Sequence, residues 1–259
     1  MPYTLITGAS GVLGGKFAET LSETDDLLLT GRNEERLLKL KERLDGKKTG
    51  RDVLVFAADL TDAESVKALF RFADEKGITF GGVINVAGAD IRKGFEDYTP
   101  EKAVFQTRIN FEAAVSVTHG AIVRRAEKIK ILAVSSMCGV MPMPYFAVYS
   151  ATKAALINFF TALRYEIKDA KTTVLIAGSI PTREDVKEDI RSQGLTGRLS
   201  AKPPEYVAKK AIKALNGNKR KTIVGLYNKF NYYFQKIIPA PIKCRVMGNR
   251  WKKRPKDAF

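Results

Sequence analysis

The chain has one histidine, one tryptophan and two cysteines in 259 residues. Cys138 and Cys244 are too few for a disulfide framework, and each reads as a free thiol in a reducing compartment. The lone histidine, His119, completes neither a Ser-His-Asp triad nor, by itself, a metal site. Hydrolase and metalloenzyme chemistry are therefore poor fits, and no metal is expected. No stretch approaches the ~18 to 20 apolar residues that span a bilayer, and Met1 leads into a strand pattern with no signal-like segment, so a cytoplasmic location is expected. Acidic residues are scarce, 28 against 44 Lys and Arg, for a net charge of +16. The imbalance is concentrated at the end, where Asn218 to Phe259 carry twelve Lys or Arg and the single acid Asp257.

What is present alternates. Tyr3 to Thr7 reads as a short buried strand running into Gly8-Ala9-Ser10-Gly11-Val12-Leu13-Gly14 and an apolar-periodic helix through Phe17, Ala18 and Leu21. Glycines let the backbone approach a pyrophosphate, and free amides at a helix start hold its charge, so this turn points to a dinucleotide. Further strand patterns cover 27–30, 53–58, 83–86, 131–135, 174–177 and 222–224, with helical patterns over 34–44, 63–75, 100–128, 148–168 and 204–215. That succession predicts an α/β fold, a doubly wound, Rossmann-like parallel sheet of about seven strands with helices on both faces. No linker or repeat divides it. A dinucleotide-binding catalytic domain over 1–225, with a lid at 182–202, and a basic aromatic extension over 226–259 are expected.

Tyr149 and Lys153 lie four residues apart on a helical pattern, which sets a phenol beside an ammonium. A cation one turn away favours phenolate and brings a tyrosine within range of acid-base work.

These features together resemble the short-chain dehydrogenase/reductase family, compact single-domain branch, from Tyr3 to about Gly225. Thr7 to Gly14 looks like the cofactor turn and Asp59-Leu60-Thr61-Asp62 like the adenine-side acidic motif. Asn85-Val86-Ala87-Gly88 looks like the strand-end motif. Asn110, Ser136, Tyr149 and Lys153 look like the catalytic set, with Ser136 thirteen and Asn110 thirty-nine residues before the tyrosine. The resemblance implies that Tyr149 passes a proton to or from the substrate oxygen, which Ser136 holds. It implies that Lys153 lowers the tyrosine pKa and binds the nicotinamide ribose, and that Asn110 holds a water leading from Lys153 to solvent. Gly8, Ser10, Gly11, Val12, Leu13, Gly14, Arg32, Asp59, Leu60, Asn85, Ala87, Gly88, Ile180 and Thr182 would join Tyr149 and Lys153 around the cofactor. The glycines at 8, 11 and 14 are spaced as in the extended branch. Ala177-Gly178 stands where a Pro-Gly usually follows the sixth strand.

Cofactor choice is read after the second strand, where an acid would hold the ribose hydroxyls and repel a phosphate. The segment is Leu29-Thr30-Gly31-Arg32-Asn33, so NADP(H) is favoured over NAD(H), with Arg32 on the 2'-phosphate. The apolar loop 137–146 is rich in Met and aromatics and suits a hydrophobic substrate, although the same side chains could be core. The expected activity interconverts a carbonyl and a secondary alcohol, with a hydroxysteroid or bile-acid dehydrogenase as the specific alternative. A catalytically silent NADP(H)-binding regulatory protein at a membrane surface is the alternative of another class. The family resemblance also implies a homodimer or tetramer.

In the tail, Tyr227, Phe230, Phe234, Ile237 and Ile238 have helical spacing among Lys and Arg. They could pack on the domain, roof the substrate pocket, or contact an anionic membrane. Nucleic acid is the weaker partner for such a tail.

Overall fold

The computed structural model describes residues 1–252; the end of the basic tail, 253–259, lies outside the described residues. Seven strands form one parallel sheet in the order β3-β2-β1-β4-β5-β6-β7. They are β1 (Tyr3–Thr7), β2 (Asp26–Gly31), β3 (Val53–Ala57), β4 (Phe80–Asn85), β5 (Arg125–Ser136), β6 (Ala170–Ala177) and β7 (Lys221–Ile223). Strand order reverses between β1 and β4, which opens a crevice at their carboxyl ends, where open α/β sheets bind ligands.

Alternation along each strand assigns side chains to the two faces. Leu5, Val83, Ile131 and Val174 are buried in one core, while the adjacent Ile6, Ile84, Leu132 and Leu175 are buried in the other. The first core packs under α3 (Ala63–Glu75), α5 (Ala113–Val123) and α6 (Ala147–Glu166), and the second under α1 (Val12–Leu21), α2 (Glu34–Asp45) and α9 (Pro204–Asn216). Burying each such Leu, Ile or Val contributes roughly 1.5–3 kcal/mol. α2 and α3 start where Asn33 and Asp62 accept backbone N–H bonds from Arg36 and from Ser65.

The expected helix over 100–128 is not continuous. It is α4 (Pro100–Thr107), a π turn over Arg108–Glu112, then α5, and the chain is already in β5 at Arg125. The Arg125-to-Lys130 stretch favours helix by composition. Pairing at its two ends overrides that preference: Arg125 lies opposite Phe80 of β4 before a register shift, and pairing resumes with Ile129 opposite Ala170 of β6 and Lys130 opposite Gly82. The expected lid is two short helices, α7 (Glu184–Ser192) and α8 (Gly194–Ser200), and the extension is α10 (Leu226–Ile237) followed by α11 (Ala240–Trp251).

Candidate active site

The glycine turn follows from its backbone. Gly8 has φ +64, and a Cβ there would lie 2.9 Å from the Ala87 nitrogen. At Gly14 a Cβ would run into the Gly8 carbonyl oxygen, which forces α1 hard against the turn. Thr7 Oγ1 accepts bonds from the Val86 and Ala87 amides at 3.0 and 3.1 Å, joining the tops of β1 and β4. Gly11 caps α1 without a side-chain bond, and no acid occupies its first turn. A bare helix start with free amides beside a tight glycine turn fits a dinucleotide pyrophosphate.

The other expected cofactor positions divide by what their side chains touch. Arg32 is exposed, with its guanidinium 5.7 Å from the Phe105 ring centre. Asp59 Oδ1 accepts bonds from the Thr61 amide and hydroxyl at 2.9 and 2.7 Å, and Leu60 is buried in the core. Asn85 donates to Thr118 Oγ1 at 2.8 Å, toward α5. The side chains of Asp59, Leu60 and Asn85 are therefore engaged with the scaffold. Thr182 sits between Pro181 and Arg183, ahead of α7, and is not among the cavity's lining residues, whereas Ile180 is.

That cavity, of about 350 Å³, runs over the crevice. Leu13, Gly88, Ser136, Tyr149, Lys153 and Ile180 are all among its lining residues. Ser136 ends β5, and its Oγ accepts the Cys138 amide at 3.1 Å, turning the chain away from the sheet. Tyr149 and Lys153 project from α6, with the Lys153 nitrogen 5.7 Å from the Tyr149 ring centre. Lys153 Nζ donates to the Val134 carbonyl at 3.0 Å. Asn110 is fully buried in the π turn. It accepts the Ala89 amide at 2.7 Å and donates to the Ala89 carbonyl at 2.9 Å and Thr152 Oγ1 at 3.2 Å. It thus pins the loop after β4 to α6; π turns often occur where a helix is bent to place a functional group.

The electrostatics differ from expectation. Burial pushes the Tyr149 phenol well above its ordinary range, Cys138 and Asp90 push the same way, and the Ser136 hydroxyl opposes them. Burial lowers Lys153 to about 8, with Asp90 and Cys138 acting against it. In this arrangement desolvation dominates the phenol, and its direction is opposite to the expected acidification.

This sets a pH signature. The unfolded lysine titrates near ~10.4, so between about pH 8 and that value the unfolded chain holds a proton that the native chain has released. Stability from this site rises with pH across that window. The upward shift of Tyr149 opposes it only above ~10. Urea unfolding should show wild type gaining about 1 to 2 kcal/mol from about pH 7.5 to 9.5 relative to Lys153→Met. Parallel pH profiles for the two proteins would contradict the buried amine.

The far wall joins the apolar loop 137–146 to Trp251 and Arg92, which the sequence had not marked as site residues. Met141, Met143, Phe146 and Trp251 form a small buried cluster that also lines the cavity, so the apolar loop is core and pocket wall at once. Tyr149 meets Phe146 edge to face at 5.3 Å, and Phe146 meets Trp251 at 5.7 Å. Arg92 is 4 % exposed, stacks 4.6 Å over Trp251, and bonds both carboxylate oxygens of Asp189 on α7 at 2.9 and 3.0 Å. Arg250 donates to Gln193 Oε1 at 2.8 Å, and Asn228 to the Ser200 carbonyl at 2.9 Å, so α10 and α11 are tied to the 182–202 segment. Trp251 Nε1 and Gln235 Oε1, both from lining residues, are buried with no hydrogen-bond partner among the described residues. No short-range signal announces Arg92, Asp189 or Trp251 as neighbours, because they converge from remote segments.

A family model described as short chain dehydrogenase matches residues 2–194. The 11-beta-hydroxysteroid dehydrogenase-like 2 of Arabidopsis thaliana is 37% identical over 185 residues, covering 69% of this chain and 59% of that protein. The chain thus spans less than two thirds of that relative. Dehydrogenase/reductase SDR family member 7B of Xenopus laevis is 28% identical and is matched over 97% of this chain and 82% of its own length. Among solved structures, a 7beta-hydroxysteroid dehydrogenase superposes with TM-score 0.84 at 23% identity, over 95% of this chain and 96% of that one. A Sphingobium yanoikuyae short-chain dehydrogenase in complex with NADPH gives 0.77 at 23% identity, over the whole of both chains. At these identities the structural likeness establishes the fold.

Proposed function

The chain belongs to the short-chain dehydrogenase/reductase family, and from that premise we propose that it is an NADP(H)-dependent oxidoreductase interconverting a carbonyl and a secondary alcohol on a hydrophobic substrate. The observation that carries the reading is the meeting of Ser136, Tyr149 and Lys153 on one cavity wall beside the glycine turn. Gly8 through Gly14 would hold the pyrophosphate, Arg32 the 2'-phosphate, and Lys153 the nicotinamide ribose. A bound nicotinamide would supply or accept the hydride.

The chain's own residues handle the proton and the pose. The raised Tyr149 pKa keeps the phenol protonated at neutral pH, which suits a donor to the oxygen of a carbonyl being reduced. Ser136 Oγ orients that oxygen. Lys153, titrating near neutrality at about 8, can return a proton to the site through the phenol. Asn110 acts through position, holding the Ala89 loop against α6. The apolar wall from Met141 to Trp251 excludes water and favours a bulky apolar body.

A hydroxysteroid or bile acid is the more specific reading. It is favoured by the apolar wall of Met141, Met143, Phe146 and Trp251, which suits a rigid apolar body. Assembly as a homodimer or tetramer is part of the same proposal, through the helix that carries Tyr149.

The test is reduction of steroids, bile acids, acyl thioesters and small ketones with NADPH and NADH in parallel. Turnover should favour NADPH. Arg32→Asp should shift the preference toward NADH by about tenfold or more, since a charge-assisted pair is exchanged for repulsion. No turnover on any member of the panel would sink the oxidoreductase reading, and unchanged selectivity would remove Arg32 from the site.

A further inference from the structure

Helix α10 is inside out. In a helix packed on a soluble domain the apolar stripe faces inward. Here the inward residues are Asn228, Asn231, Tyr232 and Gln235, of which Asn231 and Gln235 line the cavity. The outward face holds Leu226, Phe230, Tyr233, Phe234 and Ile237, with Ile237 76% exposed and Phe230 stacked on Phe234 at 5.6 Å. α11 repeats the arrangement, with Met247 and Trp251 toward the cavity and Ile242 and Val246 exposed. Among the described residues, seven of the seventeen large hydrophobic residues left exposed therefore fall between 226 and 246, more than scatter over the surface would give.

The charge that α10 and α11 themselves carry has one sign. Lys229, Lys236 and Arg245 are exposed among the apolar side chains, and no Asp or Glu occurs from 206 to 256. A second copy meeting this face across a two-fold axis would set these cations against themselves. An anionic lipid surface complements both features, taking the aromatics at its headgroup level and the cations at its phosphates. We propose that the outward faces of α10 and α11 dock on an anionic bilayer. The opposite faces of the same two helices form a cavity wall, so docking sets that wall at the membrane. A hydrophobic substrate could then be drawn from the lipid; this last step rests on the proposed activity, while docking itself does not.

The experiment is sedimentation of the full chain with phosphatidylcholine vesicles, with and without phosphatidylserine. Wild type should bind the anionic vesicles preferentially and lose affinity as salt rises. Two double variants, Phe230→Ser with Phe234→Ser and Lys229→Glu with Arg245→Glu, should each lower that affinity about tenfold or more. Both replace exposed side chains, and unchanged circular dichroism would verify their folding. Equal binding to both vesicle types, or variants that bind like wild type, would overturn the proposal. So would a wild-type dimer that the variants make monomeric, or retention on an oligonucleotide, if vesicle binding is missing. Because the readout needs no turnover, failure here leaves the oxidoreductase reading intact, and a failed substrate panel leaves docking intact.

Discussion

Tyr149→Phe is expected to lower kcat by about 10² to 10⁴-fold while leaving NADPH affinity within about twofold. The substitution removes one oxygen and keeps the ring, so the edge-to-face contact with Phe146 at 5.3 Å and the cavity wall behind it persist. What is lost is the only phenol that the cavity sets beside Ser136 and Lys153 among the described residues. Steady-state rates on any ketone turned over by wild type, together with NADPH fluorescence titration, separate the two quantities. Equal turnover in the two proteins would refute the proton-transfer role. Loss of NADPH binding along with turnover would instead assign the phenol to cofactor retention.

The second large effect is expected from Gly14→Ala. An added Cβ collides with the Gly8 carbonyl oxygen and would lie 2.7 Å from the Gly8 carbonyl carbon and 2.9 Å from the Ala9 Cα, all of them backbone atoms. No side-chain rotation relieves this, so α1 must move off the turn. Overpacking of this kind typically costs about 1–3 kcal/mol. The displaced amides would also no longer converge on a pyrophosphate, and NADPH affinity should fall about 100-fold or more. Calorimetric titration against NADPH and a thermal melt would report the two consequences independently. Native-like affinity would mean that the turn does not hold the phosphates.

The same particulars explain how far the chain could be read before its structure. β1 and α3 were legible to the residue because local signals agreed, a buried apolar run into glycines for one and an Asp62 cap for the other. The doubly wound parallel sheet followed from strand-helix alternation, while the order of its strands came only with the structure. The start of β5 was hidden because its first residues favour helix, and only their partners on β4 and β6 override that. In the candidate site, the juxtaposition of Tyr149 and Lys153 was legible from spacing, since they share a helix, whereas Ser136 entered only through the family resemblance. Arg92, Asp189 and Trp251 were not, because their relation is purely three-dimensional. The tail shows the limit most plainly. Periodicity found the apolar stripe of α10, yet could not tell that Asn228 and Gln235 would take the inward side.

Trp251 closes a wall whose other members, Met141, Met143 and Phe146, are all made more than one hundred residues earlier. During synthesis the sheet and the Tyr149 helix can be complete while this wall is still missing its indole, which remains inside the ribosome. A nascent chain would therefore hold a half-built cavity, and a reporter fused close behind residue 251 would perturb that cavity before it perturbed the sheet.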